Sequence, residues 1–215
     1  MTTAAAGEEV RVYADEEEQK AMALCHPRSI EVLKKLLGTI TQRSLFRALD
    51  VAGGDGRLSK DFLLKQYRKV DHFDQYPTGV KKAKAALLRS PNFGHTQQAT
   101  MQDYGWRFEY SGIFMVWCAG YLTRSELASF LRKAKTRLMT GRFRTTRHQA
   151  PESFIILLDN VREDGEPPAI IKGQRVRSEH ELEAIFEEAG LLIHKRSERE
   201  PMPGGHKDVV VWALY

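Results

Sequence analysis

Residues 47–75 read RALDVAGGDGRLSKDFLLKQYRKVDHFDQ: an apolar run closing on Asp50, three glycines in the next six positions, then a second apolar run closing on Asp74. A strand-length apolar run that enters a glycine turn and continues into a helical pattern opens a βαβ unit. That opening leaves few architectures, because parallel strands need a crossover, and the crossover helix must cover a face of the sheet. The alternation continues downstream. "KVDHFD" reads as the second strand, "GVKKAKAALL" as a helix, "QQATMQDY" as a third short strand or its exit, and "SGIFMVWCAG" as a buried fourth strand. A helix over "TRSELASFLRKAKTRLM" opens on Thr123 with Glu126 three residues later, a capping-box pattern, and closes at Gly141. "ESFIILLDN" is the fifth strand and "SEHELEAIFEEAGL" the last helix, ending at Gly190. "LLIHKRSE" and "DVVVWALY" have no helix between them and form an antiparallel edge. The pattern predicts an α/β fold: a mostly parallel seven-stranded sheet with an antiparallel C-terminal edge and helices on both faces.

Before the first strand, "SIEVLKKLLGTITQRSLF" spaces Ile30, Leu33, Leu36 and Leu37 along one helical face. The first twenty residues are acidic, neither a secretory signal nor an Arg-rich transit peptide. Residues 1–26 are therefore read as an acidic extension and residues 27–215 as one domain. No apolar run reaches the ~18 residues of a membrane span, and no membrane partner is expected. Cys25 and Cys118 have no metal-ligand spacing and read as buried thiols. A soluble intracellular protein, cytoplasmic or nuclear, with no metal site is the expectation. The net charge of +5 conceals a stripe from residue 127 to 150 that has no acid but carries Arg132, Lys133, Lys135, Arg137, Arg142, Arg144 and Arg147. Such a stripe is either a solvated helix face running into a loop or a contact surface for RNA or an acidic partner through Arg132, Arg142, Arg144 and Arg147.

In sheets of this kind, ligands bind beyond the carboxyl ends of the strands. The turn Asp50-Val51-Ala52-Gly53-Gly54-Asp55-Gly56-Arg57 lacks the glycine spacing of a pyrophosphate site. It suits a ligand without phosphates whose own atoms cross above a bare backbone. Asp74 follows Gly54 by twenty residues, where a carboxylate accepts from ribose hydroxyls, and also reads as a simple turn residue before Pro77. S-adenosylmethionine fits a phosphate-free ribose site, with the Arg57 fork placed for its carboxylate.

At this point the chain resembles the class I methyltransferases, and within them the protein α-N-terminal methyltransferases. The resemblance runs over residues 45–215 and rests on "LDVAGGDGRLSKDFLL", "VDHFDQ", "MQDY", "VWCAGYLTRSELASFLRKAK", "IILLDNVREDG" and "AIFEEAGL" in order. It implies a Rossmann-like fold, S-adenosylmethionine as cofactor and a protein N-terminus as substrate. By position it implies cofactor contacts at Gly54, Gly56, Arg57, Asp74 and Gln102, with Met101 beside the adenine. Ala52 stands where the family has a glycine, and Val116 where it has a glutamine near the cofactor.

Methylating an α-amine requires removing its proton first. The family uses a tryptophan, a histidine, an asparagine and two aspartates for the peptide; here those positions are Trp117, Tyr121, Asn160, Ala169 and Lys172. A lysine at an amine site repels its substrate. Tyr121 can hydrogen-bond an amine but is a poor base, since a phenol titrates near ~10. Trp117 also reads as core, and "REDGEPP" as a charged turn. Three functions remain open: an N-terminal methyltransferase, an inactive methyltransferase-fold subunit in a ribonucleoprotein or other complex, and a methyltransferase with a changed acceptor such as RNA.

Overall fold

The computed structural model describes residues 16–140, 151–171, 173–204 and 206–215. A long helix, α1 (Glu16–Gly38), precedes strand β1 (Arg47–Val51), and the glycine turn then enters a π-helical turn (Ser59–Leu63) that closes in one α-turn, α2 (Leu64–Gln66). There follow β2 (Lys69–Asp74), α3 (Pro77–Leu87), β3 (Phe93–Gln98), β4 (Gly112–Val116), a 3-10 turn (Ala119–Tyr121) and α4 (Arg124–Lys135). The chain ends with β5 (Phe154–Arg162), β6 (Ala169–Ile171), β7 (Gln174–Ser178), α5 (Glu179–Glu188), β8 (Ile193–Arg196) and β9 (Val209–Leu214).

Strands β3, β2, β1, β4 and β5 run parallel in that spatial order, and β9 inserts antiparallel between β5 and β8. Those seven strands are the expected sheet. The count among the described residues is nine, because β6 and β7 form an additional hairpin on the end of β5. The cause is β5 itself: its nine residues outrun β9, so Val161 and Arg162 pair with Arg177 and Ser178 of β7. The "REDGEPP" segment is the turn into this hairpin. Gly165 sits at φ +89, and the Arg162 guanidinium donates to the carbonyls of Glu163 and Glu166.

Alternate residues of each central strand are buried on opposite faces, as in a sheet covered on both sides. One face packs Leu49, Val51, Ile113, Met115, Ile155 and Leu157 beneath α4 and α5. The other packs Ala48, Val70, Phe114, Ile156, Leu158 and Val209 against Val32, Leu33, Leu36 and Leu37 of α1. The expected boundary at residue 26 falls inside α1, which runs without interruption through Pro27. Helix α4 opens with the expected capping box of Thr123 and Glu126. It stops at Lys135, short of Gly141, because Tyr110 bridges to the next residues: its N–H donates to Arg137 O at 2.7 Å, and Met139 N–H donates to its carbonyl at 2.9 Å. Gly141 lies outside the described residues.

The edge near β2 is pinned by a buried ion pair. Arg47 Nη1 lies 2.7 Å from Asp71 Oδ2, whose side chain is 1% exposed, and the guanidinium stacks 3.8 Å over the Phe108 ring. Removing one partner of such a pair leaves an uncompensated charge, costing about 3–5 kcal/mol. Arg47→Met is therefore expected to lower the urea unfolding free energy by about 3 kcal/mol. Adding Asp71→Asn should recover most of that loss. A loss below ~1 kcal/mol for the single variant would show that the pair is not structural.

Candidate functional site at the carboxyl ends of β1, β2, β4 and β5

The glycine turn is built around Asp50. This carboxylate is 2% exposed, and its Oδ2 accepts from the Ser59 hydroxyl at 2.6 Å and the Ser59 N–H at 3.2 Å. A Cβ at Gly53 would stand 2.6 Å from Asp50 Cγ and 2.7 Å from His72 Cδ2, so only glycine fits beneath the turn. Burial pushes Asp50 up to about 7 and His72 down. Above, Gly54 (φ +57) faces open space, since an added Cβ would meet nothing within 4 Å. Gly56 is at φ +80 and Ala52 at φ +49, a left-handed conformation that costs an alanine about 1–2 kcal/mol.

Asp74 ends β2, 5% exposed. Its Oδ2 accepts from Gly54 N–H at 2.9 Å and its Oδ1 from Tyr76 N–H at 2.8 Å. A carboxylate offers about four acceptor sites, so two remain for hydroxyls. Arg57 donates through Nε to Asp55 Oδ2 at 2.8 Å, so an acid already shares the guanidinium assigned to the ligand's carboxylate. Met101 is buried and Gln102 exposed after β3; Gln102 Nε2 donates to Glu126 Oε1 at 3.2 Å. Together with Leu122, Phe130 and Lys133 they border a shallow recess.

Val116 lies on the α1 face at the end of β4, next to Trp117. Trp117 holds φ +60, donates its backbone N–H to Leu158 O at 3.0 Å, and donates its indole Nε1–H to Ser29 Oγ of α1 at 3.0 Å. A bulky side chain in this region marks strain that the surroundings must impose. Asn160 stands opposite Val209, on the same α1-covered face. Its Oδ1 is buried with no hydrogen-bond partner among the described residues.

Tyr121 is elsewhere. Its exposed hydroxyl accepts from Gln174 Nε2 of the hairpin at 2.7 Å. Asp159 points to the opposite face from Asn160, accepting from Gly120 N–H at 3.2 Å, and burial raises it to about 6. Ala169 pairs with Val176 in the hairpin; Lys172 lies outside the described residues, as do Arg142, Arg144 and Arg147. Arg132, expected to face a partner, turns instead to Glu188 of α5, with Nη2 3.4 Å from its carboxylate. The structure thus gathers Ala52, Gly54, Asp74 and Val116 along the turn, with Trp117 and Asn160 beyond them. It also brings in Ser29 and His206, which no sequence pattern singled out. The open backbone above Gly54 and the free acceptor sites of Asp74 fit an adenosine ribose, and the lack of a pyrophosphate turn fits S-adenosylmethionine.

A profile of the AdoMet-dependent proline di-methyltransferases matches residues 27–215. The chain belongs to that family. Its members work with S-adenosylmethionine. Over 175 residues the chain is 26% identical to the α N-terminal protein methyltransferase 1 of Oryza sativa subsp. indica, covering 78% of this chain and 53% of that protein. It is 29% identical over 158 residues to the N-terminal Xaa-Pro-Lys N-methyltransferase 1 of Danio rerio, covering 73% and 66%. The chain thus spans between about half and two thirds of these relatives' lengths. A solved SAM-dependent methyltransferase from Leishmania major superposes with a TM-score of 0.79 at 23% identity, covering 92% of this chain and 75% of that one, a likeness of fold. The mostly parallel sheet with an antiparallel edge predicted from the strand pattern, and the Rossmann-like class I fold that the resemblance implied, agree with this fold.

Two outcomes follow from this geometry. Ala52→Gly removes left-handed strain, offset by glycine's greater freedom when unfolded, so urea unfolding should show a gain of about 0.5–1 kcal/mol. A loss of stability would contradict the strain. Asp50, at about 7 in the fold against ~3.9 unfolded, binds more protons when folded between those values. Its stabilising contribution is therefore complete below ~4 and lost as pH rises toward 7. Asp50→Asn should flatten the stability profile over that window; an unchanged slope would place the carboxylate in an ordinary environment.

Proposed function

We propose that this chain methylates the α-amine of a protein N-terminus, using S-adenosylmethionine. The names of the rice and zebrafish relatives and the family's description support the reaction type. The observation that carries the reading is the buried Asn160 Oδ1, unpartnered among the described residues, at the strand ends that also hold Trp117 and the open glycine turn. A buried acceptor without a donor costs about 1–3 kcal/mol, and an N–H of the incoming amine would relieve it.

Ala52, Gly54 and Gly56 would let the cofactor approach the backbone, Asp74 would take its ribose hydroxyls, and Met101 and Gln102 would flank its adenine. Arg57 would meet its carboxylate once released from Asp55, and Val116 would line the wall where the family has a glutamine. The cofactor supplies an electrophilic methyl group on a sulfonium. Of the residues flanking the acceptor, Trp117 gives a flat apolar wall and Asn160 a hydrogen-bond acceptor. Tyr121, joined to Gln174, lies on the hairpin side and serves to order that edge.

A second reading, an inactive methyltransferase-fold binding subunit, is favoured by Ala169 and Lys172, which stand where the resembling enzymes hold the amine with carboxylates. Calorimetry with S-adenosylmethionine, followed by mass spectrometry of Xaa-Pro-Lys peptides, separates the two. Binding with slow methylation is the expected result. Ala169→Asp with Lys172→Asp should then raise the rate by up to ~10²-fold, within the range of general-base assistance. Cofactor binding with no transfer to any free N-terminus would leave the binding-subunit reading standing.

A further inference from the structure

The segment between β8 and β9 carries a histidine to the acceptor end of the site. Val161 N–H donates to Asp208 O at 2.9 Å, and Asn160 stands in register with Val209, so residues 206–208 are held at the end of β5. From there the half-buried His206 ring meets Trp117 edge to face, with centroids 6.3 Å apart and 67° between planes. Its ring nitrogens have no hydrogen-bond partner among the described residues. Trp117, Asn160 and His206 thus converge on the α1-covered face from three separate strand ends, where an acceptor would sit.

Several other proton acceptors among the described residues are engaged or remote, and the Asp208 carboxylate, two residues on, is exposed. His26 is tied to Asp61 at 3.0 Å, and His72 is sealed beneath the glycine turn. His194 packs on Phe154, with ring centroids 5.0 Å apart. Asp159 points to the opposite face and is held by backbone N–H groups. Glu163 is paired with Arg199. A neutral imidazole is the side chain best matched to accepting a proton near neutral pH.

We propose that His206 is the group that deprotonates the acceptor amine in this chain, a role that rests on the methyl-transfer reading above. The ammonium N–H bond breaks, its proton passes to an imidazole nitrogen, and the electron pair stays on the amine nitrogen as the lone pair that accepts the methyl group. Asn160 Oδ1 holds a second N–H of the same nitrogen. Trp117 fixes the imidazole plane by its edge contact. A histidine here compensates for Tyr121 and Ala169, from a different part of the chain.

The test uses the whole protein, with two arms. In the first, His206→Ala and His206→Gln are compared with the unmutated chain for methylation of Xaa-Pro-Lys peptides, for peptide affinity, and for calorimetric affinity toward S-adenosylhomocysteine. A fall in kcat of about 10²-fold at cofactor affinity within ~3-fold, with partial rescue of the alanine variant by added imidazole, is expected. A kcat within ~3-fold of the unmutated value, or a loss explained by weakened cofactor binding, overturns the role. The second arm needs no turnover. The ¹⁵N-imidazole resonances of His206, assigned by their absence in the alanine variant, are followed as peptide is added without cofactor. Movement with a free N-terminus but not with its acetylated form supports direct contact with the amine, and unmoved resonances overturn it. If the unmutated chain transfers no methyl group to any peptide, the activity reading and the deprotonating role fall together, while the second arm still decides whether His206 meets the amine.

Discussion

A single buried carboxylate organises the ligand end of the sheet. Asp50 is almost wholly buried, so the Ser59 hydroxyl and N–H supply hydrogen bonds to its Oδ2, and the chain after the glycines must bring Ser59 down to reach it. That requirement coincides with the π-helical turn at Ser59–Leu63, a geometry often met at functional sites. Gly53 follows from the same packing, since Asp50 and His72 fill the volume any side chain would need. With Gly53 N–H donated to Phe73 O and Gly54 N–H to Asp74, the turn is tied to β2 as well as β1. The open face above Gly54 exists because everything beneath it is full.

The two faces of the sheet are used differently. Beneath α4 and α5, the polar groups complete a frame: Asp159 accepts from Gly120 N–H, and the buried Arg177 donates to Ala119 and Leu122 carbonyls. Beneath α1 the polar groups are left partly unsatisfied. The helix reaches the site through Ser29, whose hydroxyl donates to Cys25 O while accepting from Trp117. Glu200 of the β8–β9 connection pairs with Arg28 and Lys35, fastening that connection to α1. Four segments distant in sequence therefore share one small volume around Trp117.

The features that set the ligand end of this chain apart are local. Asp55 draws Arg57 aside, so the ligand's carboxylate must compete with an internal one for the same guanidinium. Tyr121 is joined to the hairpin through Gln174. Ala52 accepts a left-handed backbone where glycine would carry no strain. None of these disturbs the frame: Asp55 and Tyr121 lie outside the two apolar clusters, and Ala52 packs against one of them as a small, partly buried side chain.

Periodicity and punctuation alone determined the parallel sense of the central strands, the glycine turn, the capped start of α4 and the antiparallel close, because these are local consequences of side-chain spacing and backbone freedom. The place of Asp74 at the end of β2 was also legible, since a βαβ unit fixes where a strand's last residues fall relative to the turn before it, whereas Met101 and Gln102 came from the resemblance alone. The β6–β7 hairpin was not, because its short strands acquire meaning only from the overhang of β5 past β9. The early end of α4 depended on a bridge from Tyr110, twenty-seven residues upstream of Arg137, which no local signal carries. His206 beside Trp117, and Asn160 without a donor, were decided by tertiary structure alone: the first needs the register of β9 against β5, and the second needs the burial that α1 imposes on that face.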